Sequence, residues 1–412
     1  MAASAVDNRQ KLLDVLKRVI LRTIVVIVSS IIVANILYLI SDKINVLEKF
    51  SVALSDIDFT DMYYQYERNA DRDTNIVIVN ISLIPRQDIG KLINKISKLN
   101  PKVIGADIFF DVRNDTLNPS GTDTLVQQIK DVNNLVLVSS YRGTDRFGRD
   151  SIETQSPRIG KYVKQGIANF NVPKDDPEFG TLRSFSPYIK INGENHLSFS
   201  FLVASYFDST LTKYATHDDM FIKWYGYAYN ENFRFDDRGV FRSFDWNEVV
   251  DNSFDKTNIE NKIVILGFLG ESIGSLAVGE MFYSPMNHKI IGRSLADLYG
   301  VELHANAIKM IIDKEFIKQS WIVDFIYSLF IMTAFIVILN WLKEKHDKYY
   351  PIASKVLLIV FINFFVFTVV GLFYTTNGTL KILIGDAVVV LLIIPDMFDY
   401  LSETVYKRMK LK

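Results

Sequence analysis

A glycine-flanked serine is the first arrangement in this chain that could do chemistry. GESIG at 270–274 satisfies the G-x-S-x-G spacing, and Asp297 and His304 follow Ser272 in the order nucleophile, acid, base. A hydrolase of that kind needs its serine on a tight strand-to-helix turn, within hydrogen-bonding reach of the base. KIVIL at 262–266 ends several residues before Ser272, and the stretch at 275–285 has no helical periodicity, so the turn is missing. On one shared helix Asp297 and His304 would stand about 10.5 Å apart along the axis, too far to bond. An anchored serine hydrolase is kept only as the weakest alternative, and the chain is expected not to be an enzyme.

Other chemistries have less to build on. The chain has no cysteine, which excludes disulfides, thiolate metal sites and cysteine nucleophiles. Its five histidines are scattered and form no H-E-x-x-H pair. The glycines at 267, 270 and 274 miss both the dinucleotide and the Walker spacing. No metal and no cofactor are therefore expected. A formal net charge of -1 over 412 residues gives no attraction to nucleic acid. The mean hydropathy of +0.13 points instead to apolar surface facing lipid.

Four apolar runs predict four transmembrane helices, one at 23–40 and three at 323–342, 356–374 and 382–401. The first has 18 residues without a charge, follows a basic segment and has no cleavage site, so it reads as an uncleaved signal anchor. The pieces assigned to the inside, 1–22, 343–355 and 402–412, carry 13 basic against 5 acidic residues. That asymmetry predicts both termini in the cytoplasm and residues 43–320 outside, in a multi-pass protein of the cytoplasmic (inner) membrane. Asp386 lies about a turn inside the fourth span. It reads either as a polar contact between helices, with a partner's cation as one counter-charge, or as a carboxylate reaching the outer surface beside Lys381.

The external region alternates strand and helix signals. NIVIVNI at 75–81, KVIGADIFF at 102–110 and LVLVS at 135–139 read as strands, with helices at 86–99 and 122–130 between them. The polar stretch 143–158 reads as a mobile excursion. Strand signals resume at 166–170, 185–191, 220–225 and 262–266, with helices at 197–207 and 301–312. The fold class expected is an α/β extracytoplasmic domain with a mixed or mainly parallel sheet, joined to four transmembrane α-helices. The helix at 301–312 leads towards the second span and is the expected mechanical link.

Several of these strings resemble the CHASE-type extracellular sensory domain of type 2, a bacterial input module associated with cyclases and histidine kinases. They are NIVIVNI with Pro85 and Arg86, LNPKVIGADIFF at 99–110, GIANF at 166–170, LRSFSPYI at 182–189, NKIVILG at 261–267 and GVELHANAI at 300–308. The resemblance covers most of the chain, including one span before the domain and three after. It departs from the family in two places: Asn80, Ile81 and Ser82 stand where the family usually has an acidic pair, and the loop 268–285 lacks the usual Asp pattern. Family members commonly continue into a cyclase, kinase or phosphatase-type output domain, whereas this sequence stops after its last span.

The resemblance implies a sensory protein that detects an extracytoplasmic ligand and signals through a separate partner. Arg86, Asp107, Glu302, His304 and Asn306 fall on its motifs and are the candidate ligand contacts. Asp107, after a strand carboxyl end, is placed as ligands are in open α/β sheets. Glu302 and His304 alone are too few to hold a metal. Lys343, Lys345 and Lys348 in the inner loop are the expected partner contacts. The expected partners are the lipid bilayer, an unidentified external ligand and a separate signalling or envelope protein, with a second copy of the chain left open and nucleic acid excluded. A non-catalytic structural subunit of an envelope complex is the alternative reading.

Overall fold

The computed structural model describes residues 2–41, 58–66, 71–144, 150–173, 180–216, 218–230, 239–253, 255–287, 295–383 and 385–406. The chain divides into two compact units, Asp61–Ile317 and Met1–Thr60 with Lys318–Lys412. The helices used below are α1 (Ala2–Ser41), α2 (Arg86–Ser97), α3 (Pro119–Ile129), α4 (Phe199–Phe207), α5 (Gly300–Asp313), α6 (Trp321–Lys345), α7 (Tyr350–Thr375) and α8 (Gly385–Leu401).

The first unit is built on an eight-stranded sheet: β1 (Ile76–Asn80), β2 (Val103–Ala106), β3 (Leu135–Thr144), β4 (Asp150–Glu153), β5 (Lys164–Ile167), β6 (Tyr227–Tyr229), β7 (Gly239–Asp245) and β8 (Ile263–Gly267). The order is β6-β7-β1-β8-β2-β3-β4, with β5 also paired to β3. Every pairing is parallel except that of β3 with β4. The expected mainly parallel α/β architecture is therefore present.

Alternation along each strand explains why these runs are apolar throughout. Ile76, Ile78, Val103, Val136, Val138, Ile263 and Ile265 point to one face, where α4 and α5 contribute Phe199, Val203, Val301, Ala305 and Ile308. Val79, Ile104, Leu135, Leu137, Val264 and Leu266 point to the other, where α2 and α3 contribute Leu92, Ile93, Ile96 and Leu125. A parallel sheet covered on both faces buries every position of its central strands. Two glycines let helices sit directly on it. A Cβ at Gly166 would stand 2.6 Å from Phe199 Cα, and one at Gly267 would stand 2.6 Å from Val301 Cβ.

Several boundaries differ from the sequence expectation. The strand through GADIFF ends at Ala106, because Phe110 N–H turns to Gln155 Oε1 (2.9 Å) and its carbonyl accepts from Ser156 N–H (3.1 Å). The stretch 143–158 is not a polar excursion throughout: β3 runs to Thr144 and pairs antiparallel with β4, while 145–149 lie outside the described residues. The strand expected at 185–191 is two. Ser184–Phe185 pairs with Met220–Phe221 and Tyr188–Ile191 with Glu194–Leu197, separated at Pro187, which has no N–H to give a ladder. The strand expected at 220–225 is correspondingly confined to Met220–Phe221.

In the second unit three helical segments among the described residues are long and apolar enough to cross a membrane: Lys17–Leu39, Trp321–Lys345 and Tyr350–Thr375. The run expected as a fourth span forms α8, which starts at Gly385 rather than 382 and has 17 residues, about 26 Å at 1.5 Å per residue. Its Leu391, Ile394 and Phe398 share a core with Val26 of α1, Phe335 and Leu339 of α6, and Phe365 and Val369 of α7. The inner loop expected at 343–355 shrinks to four residues between α6 and α7, because Lys343 and Lys345 continue α6 and Pro351 sits in the first turn of α7. The basic residues Lys407, Arg408, Lys410 and Lys412, and residues 43–57 of the region expected outside, lie outside the described residues.

Candidate ligand site at the strand carboxyl ends

The connections that leave β1 and β2 pass to α2 and α3 on one face, whereas β8, which lies between those strands, leads through residues 268–299 to α5 on the other. Chain leaving neighbouring strands in opposite directions opens a crevice at the strand carboxyl ends. β8 has such a neighbour on each side.

On the β1 side the crevice is closed by hydrogen bonds. Asn80 Nδ2 donates to Asp245 Oδ1 (2.8 Å) and the Gly270 carbonyl (3.1 Å), and its Oδ1 accepts from Leu269 N–H (2.9 Å) and Ser82 N–H (3.0 Å). Asn80 thus ties three loops together.

On the β2 side stands Asp107. Its N–H continues the ladder to the Leu266 carbonyl at 2.8 Å, which places its side chain at the mouth of the crevice. Among the described residues no donor bonds its half-buried carboxylate, and burial pushes the carboxyl up to about 6. A Cβ added to Gly300, the first residue of α5, would lie 3.2 Å from Asp107 Oδ2 and 3.6 Å from the Phe282 ring. Glycine at 300 lets carboxylate and ring approach the start of α5 this closely.

The loop after Asp107 is held firmly. Gln155 Nε2 donates to the Ile108 (2.9 Å) and Val138 (2.7 Å) carbonyls. Arg86 lies buried behind it, donating to Asp115 Oδ1 (2.9 Å), Thr122 Oγ1 (2.5 Å) and the Asp111 carbonyl (3.4 Å). The donors these bonds use go to this network, which holds the loop in place.

Glu302, His304 and Asn306 fasten α5. Glu302 accepts from Ala228 N–H (2.7 Å) and Tyr299 N–H (2.9 Å), and burial pushes its carboxyl up to about 7. Asn306 Oδ1 accepts from Tyr225 N–H (2.7 Å) and Gly226 N–H (3.3 Å), while its Nδ2 donates to the Gly226 (3.0 Å) and Glu302 (2.9 Å) carbonyls. His304 lies between the rings of Phe170 and Phe199 with Nδ1 3.1 Å from Ser200 Oγ, and burial lowers its pKa to about 3. The three side chains tie α5 to β6, to the chain entering it and to α4.

The hydrolase arrangement is not assembled. Asp297 accepts from Ser284 Oγ (2.6 Å) and Tyr227 Oη (2.9 Å), His304 meets Ser200, and Ser272 N–H donates to Ser275 Oγ at 3.2 Å. Among the described residues no three His, Asp or Glu side chains converge as a metal site.

The model of the CHASE2 domain matches residues 31–341, from within α1 to within α6. The chain belongs to the CHASE2 domain family. No curated protein and no solved structure matches it. CHASE2 is an extracellular sensory input domain family, and the matched residues include the whole α/β unit. The CHASE2 strings recognised in the sequence now have physical content: GIANF and NKIVILG carry the glycines under α4 and α5, and GVELHANAI carries the polar bolts of α5.

The sequence reading missed Gly300 and Phe282 beside Asp107, and Asn80 and Asp245 on the other side of β8. Asn80 had been visible as a departure from the family's acids, but its bonds reach 165 to 190 residues along the chain. No local signal carries that.

In the second unit Lys343 bonds Asp399 Oδ1 at 2.6 Å, while Lys345 and Lys348 are exposed. Asp386 is exposed in the first turn of α8, and Lys381 is paired with Asp58.

Proposed function

We propose that this CHASE2 protein is a membrane-anchored receptor that detects an extracytoplasmic cue and signals through a separate protein. The observation that carries the reading is the position of α5. Its first residue, Gly300, borders the Asp107 crevice, and only residues 314–320 separate its end from α6. A 14-residue helix is a rod about 21 Å long. Bolted by Glu302, His304 and Asn306, it moves as one piece with the residues around it. Occupation of the crevice shifts the rod, and α6 carries the shift across the membrane, in the manner of two-state helix displacements.

In this reading α8 is a fourth span, kept short by the polar residues at its ends, and both termini are cytoplasmic in the inner membrane. Its support is the excess of basic residues in 1–22, 343–355 and 402–412. Lys345 and Lys348 meet the partner, whereas Lys343 serves the bundle through Asp399. Asp386 lies at the outer end of α8.

The test places single cysteines at 343 and 399 in the full chain, reconstituted in nanodiscs, and joins them with a bifunctional maleimide. Substituting Asp107 with Asn, Ala or Lys is expected to change the yield of cross-link between α6 and α8. Identical yields for all three, in folded protein, would overturn the coupling.

A further inference from the structure

We infer that the crevice between β8 and β2 binds a small organic cation, an ammonium or guanidinium head on an apolar body, with the head on Asp107 beside the Phe282 ring. This deepens the receptor reading, on which its role in signalling rests.

Four observations converge. The crevice lies where chain leaves β8 and β2 for opposite faces, the position at which open α/β sheets take ligands. Its carboxylate has no bonding donor among the described residues, although every other candidate polar group of the domain, Arg86, Glu302, His304 and Asn306, is bonded within the protein. A half-buried carboxylate without a donor in the protein is partly desolvated, and a ligand that brings a donor recovers that cost. The Phe282 ring and Asp107 Oδ2 lie 3.6 and 3.2 Å from the position a Cβ on Gly300 would take, so carboxylate and ring stand within about 7 Å of each other, and a carboxylate near an aromatic ring is a recognition pair for organic cations. The connections that leave β2 and β8 carry Leu117, Leu276 and Leu295, each more than 60 % exposed, as apolar surface for the body of a ligand.

Other ligand classes fit less well. The uncompensated negative charge repels anions. A divalent ion wants six or more oxygens, and Asp107 brings a single carboxylate. The first turn of α5 gives the carboxylate a favourable field without a hydrogen bond, so it stays available for a donor. The raised pKa of Asp107 adds that the head is held as an ion pair only above about pH 6.

Calorimetry on the full chain in nanodiscs at pH 7.5 tests this with phenethylammonium, its neutral analogue 2-phenylethanol and its anionic analogue phenylacetate. Binding of the ammonium alone is expected. Asp107→Asn should weaken it by roughly tenfold or more, the loss of one charge-assisted hydrogen bond. Phe282→Leu, which keeps the apolar volume and removes the ring quadrupole, should weaken it by about threefold. Asp107 makes no side-chain bond within the protein, so its Asn variant should fold, as circular dichroism would verify; if it does not, Phe282→Leu carries the test. No heat with the ammonium, equal affinity for the alcohol, or unchanged affinity in the variants each overturns the proposal. Loss of the cation result together with Asp107-dependent cross-linking between 343 and 399 overturns the ligand class and leaves the receptor reading standing. Cation binding with no change in cross-linking does the reverse.

Discussion

Lys343 on α6 donates a 2.6 Å hydrogen bond to Asp399 Oδ1 on α8, and its ammonium also lies 4.9 Å from the centre of the Tyr350 ring on α7. One lysine thus joins three helices. The pair is partly exposed, at 23 % and 42 % of the two side chains, so Lys343→Ala should cost no more than ~1 kcal/mol. Lys343→Glu places like charges together and should lower the thermal midpoint further, and the exchanged pair Lys343→Asp with Asp399→Lys should recover it. Failure of the exchange to recover the midpoint would remove the pair from the account of the bundle.

Asn306 is fully buried and spends its whole amide on neighbouring chain. Asn306→Ala leaves buried donors and acceptors of Tyr225 and Gly226 unpaired, at a cost of about 3 kcal/mol. Unfolding monitored by circular dichroism should report the loss, and hydrogen exchange at the Tyr225 and Gly226 amides should accelerate locally.

Gly166→Ala should destabilise the domain by ~1–3 kcal/mol, since the new methyl meets the Phe199 backbone at 2.6 Å (Cα) and 2.8 Å (N) and must push α4 off the sheet. Gly279→Ala is the control: nothing lies within 4 Å of its Cβ, and its thermal midpoint should match the parent.

Three desolvated groups, half-buried Asp107 and buried Glu302 and His304, give the domain a pH dependence with opposing signs. Asp107 and Glu302 have pKa values raised from 3.8 to about 6 and from 4.5 to about 7, so the folded state holds more protons than the unfolded chain. Their stabilisation is complete below the unfolded values and is lost as pH rises through the folded ones. His304, lowered from 6.5 to about 3, does the opposite and destabilises as pH falls below 6.5. Comparing thermal midpoints of the parent and Asp107→Asn separates the first: the parent should lose ground to the variant between about pH 4 and pH 6. A constant difference across that window would contradict the desolvated, unpartnered carboxylate.

The absence of native cysteine makes sidedness directly measurable. A single cysteine at Leu276 should react with a membrane-impermeant maleimide added outside intact cells, and one at Lys345 only after the membrane is opened. The converse labelling would invert the receptor.

Much of the scaffold was legible because its signals are local. Unbroken β-branched runs such as NIVIV and KIVIL become doubly covered strands, and 18 or more apolar residues become membrane-length helices, since period and length act over a few turns of chain. Strands β6 and β7 were not anticipated, because YAY and GVFRSFD at the sheet edge lack the apolar density of the centre. The hydrolase motif showed the limit of spacing: Ser272, Asp297 and His304 follow the right order, yet the fold gives each a different neighbour.

By itself, then, the amino-acid order determined the kind of each long element, the alternation of strand and helix, and the apolar segments suited to lipid. Tertiary structure alone decided that β8 enters between β1 and β2, and with it that Asn80 is consumed in bonds while Asp107 is left open beside Gly300. The reason is range. Helix and strand preference arise between residues a few positions apart, whereas the partner of a buried polar group is set by strand order, which brings together side chains more than a hundred residues apart.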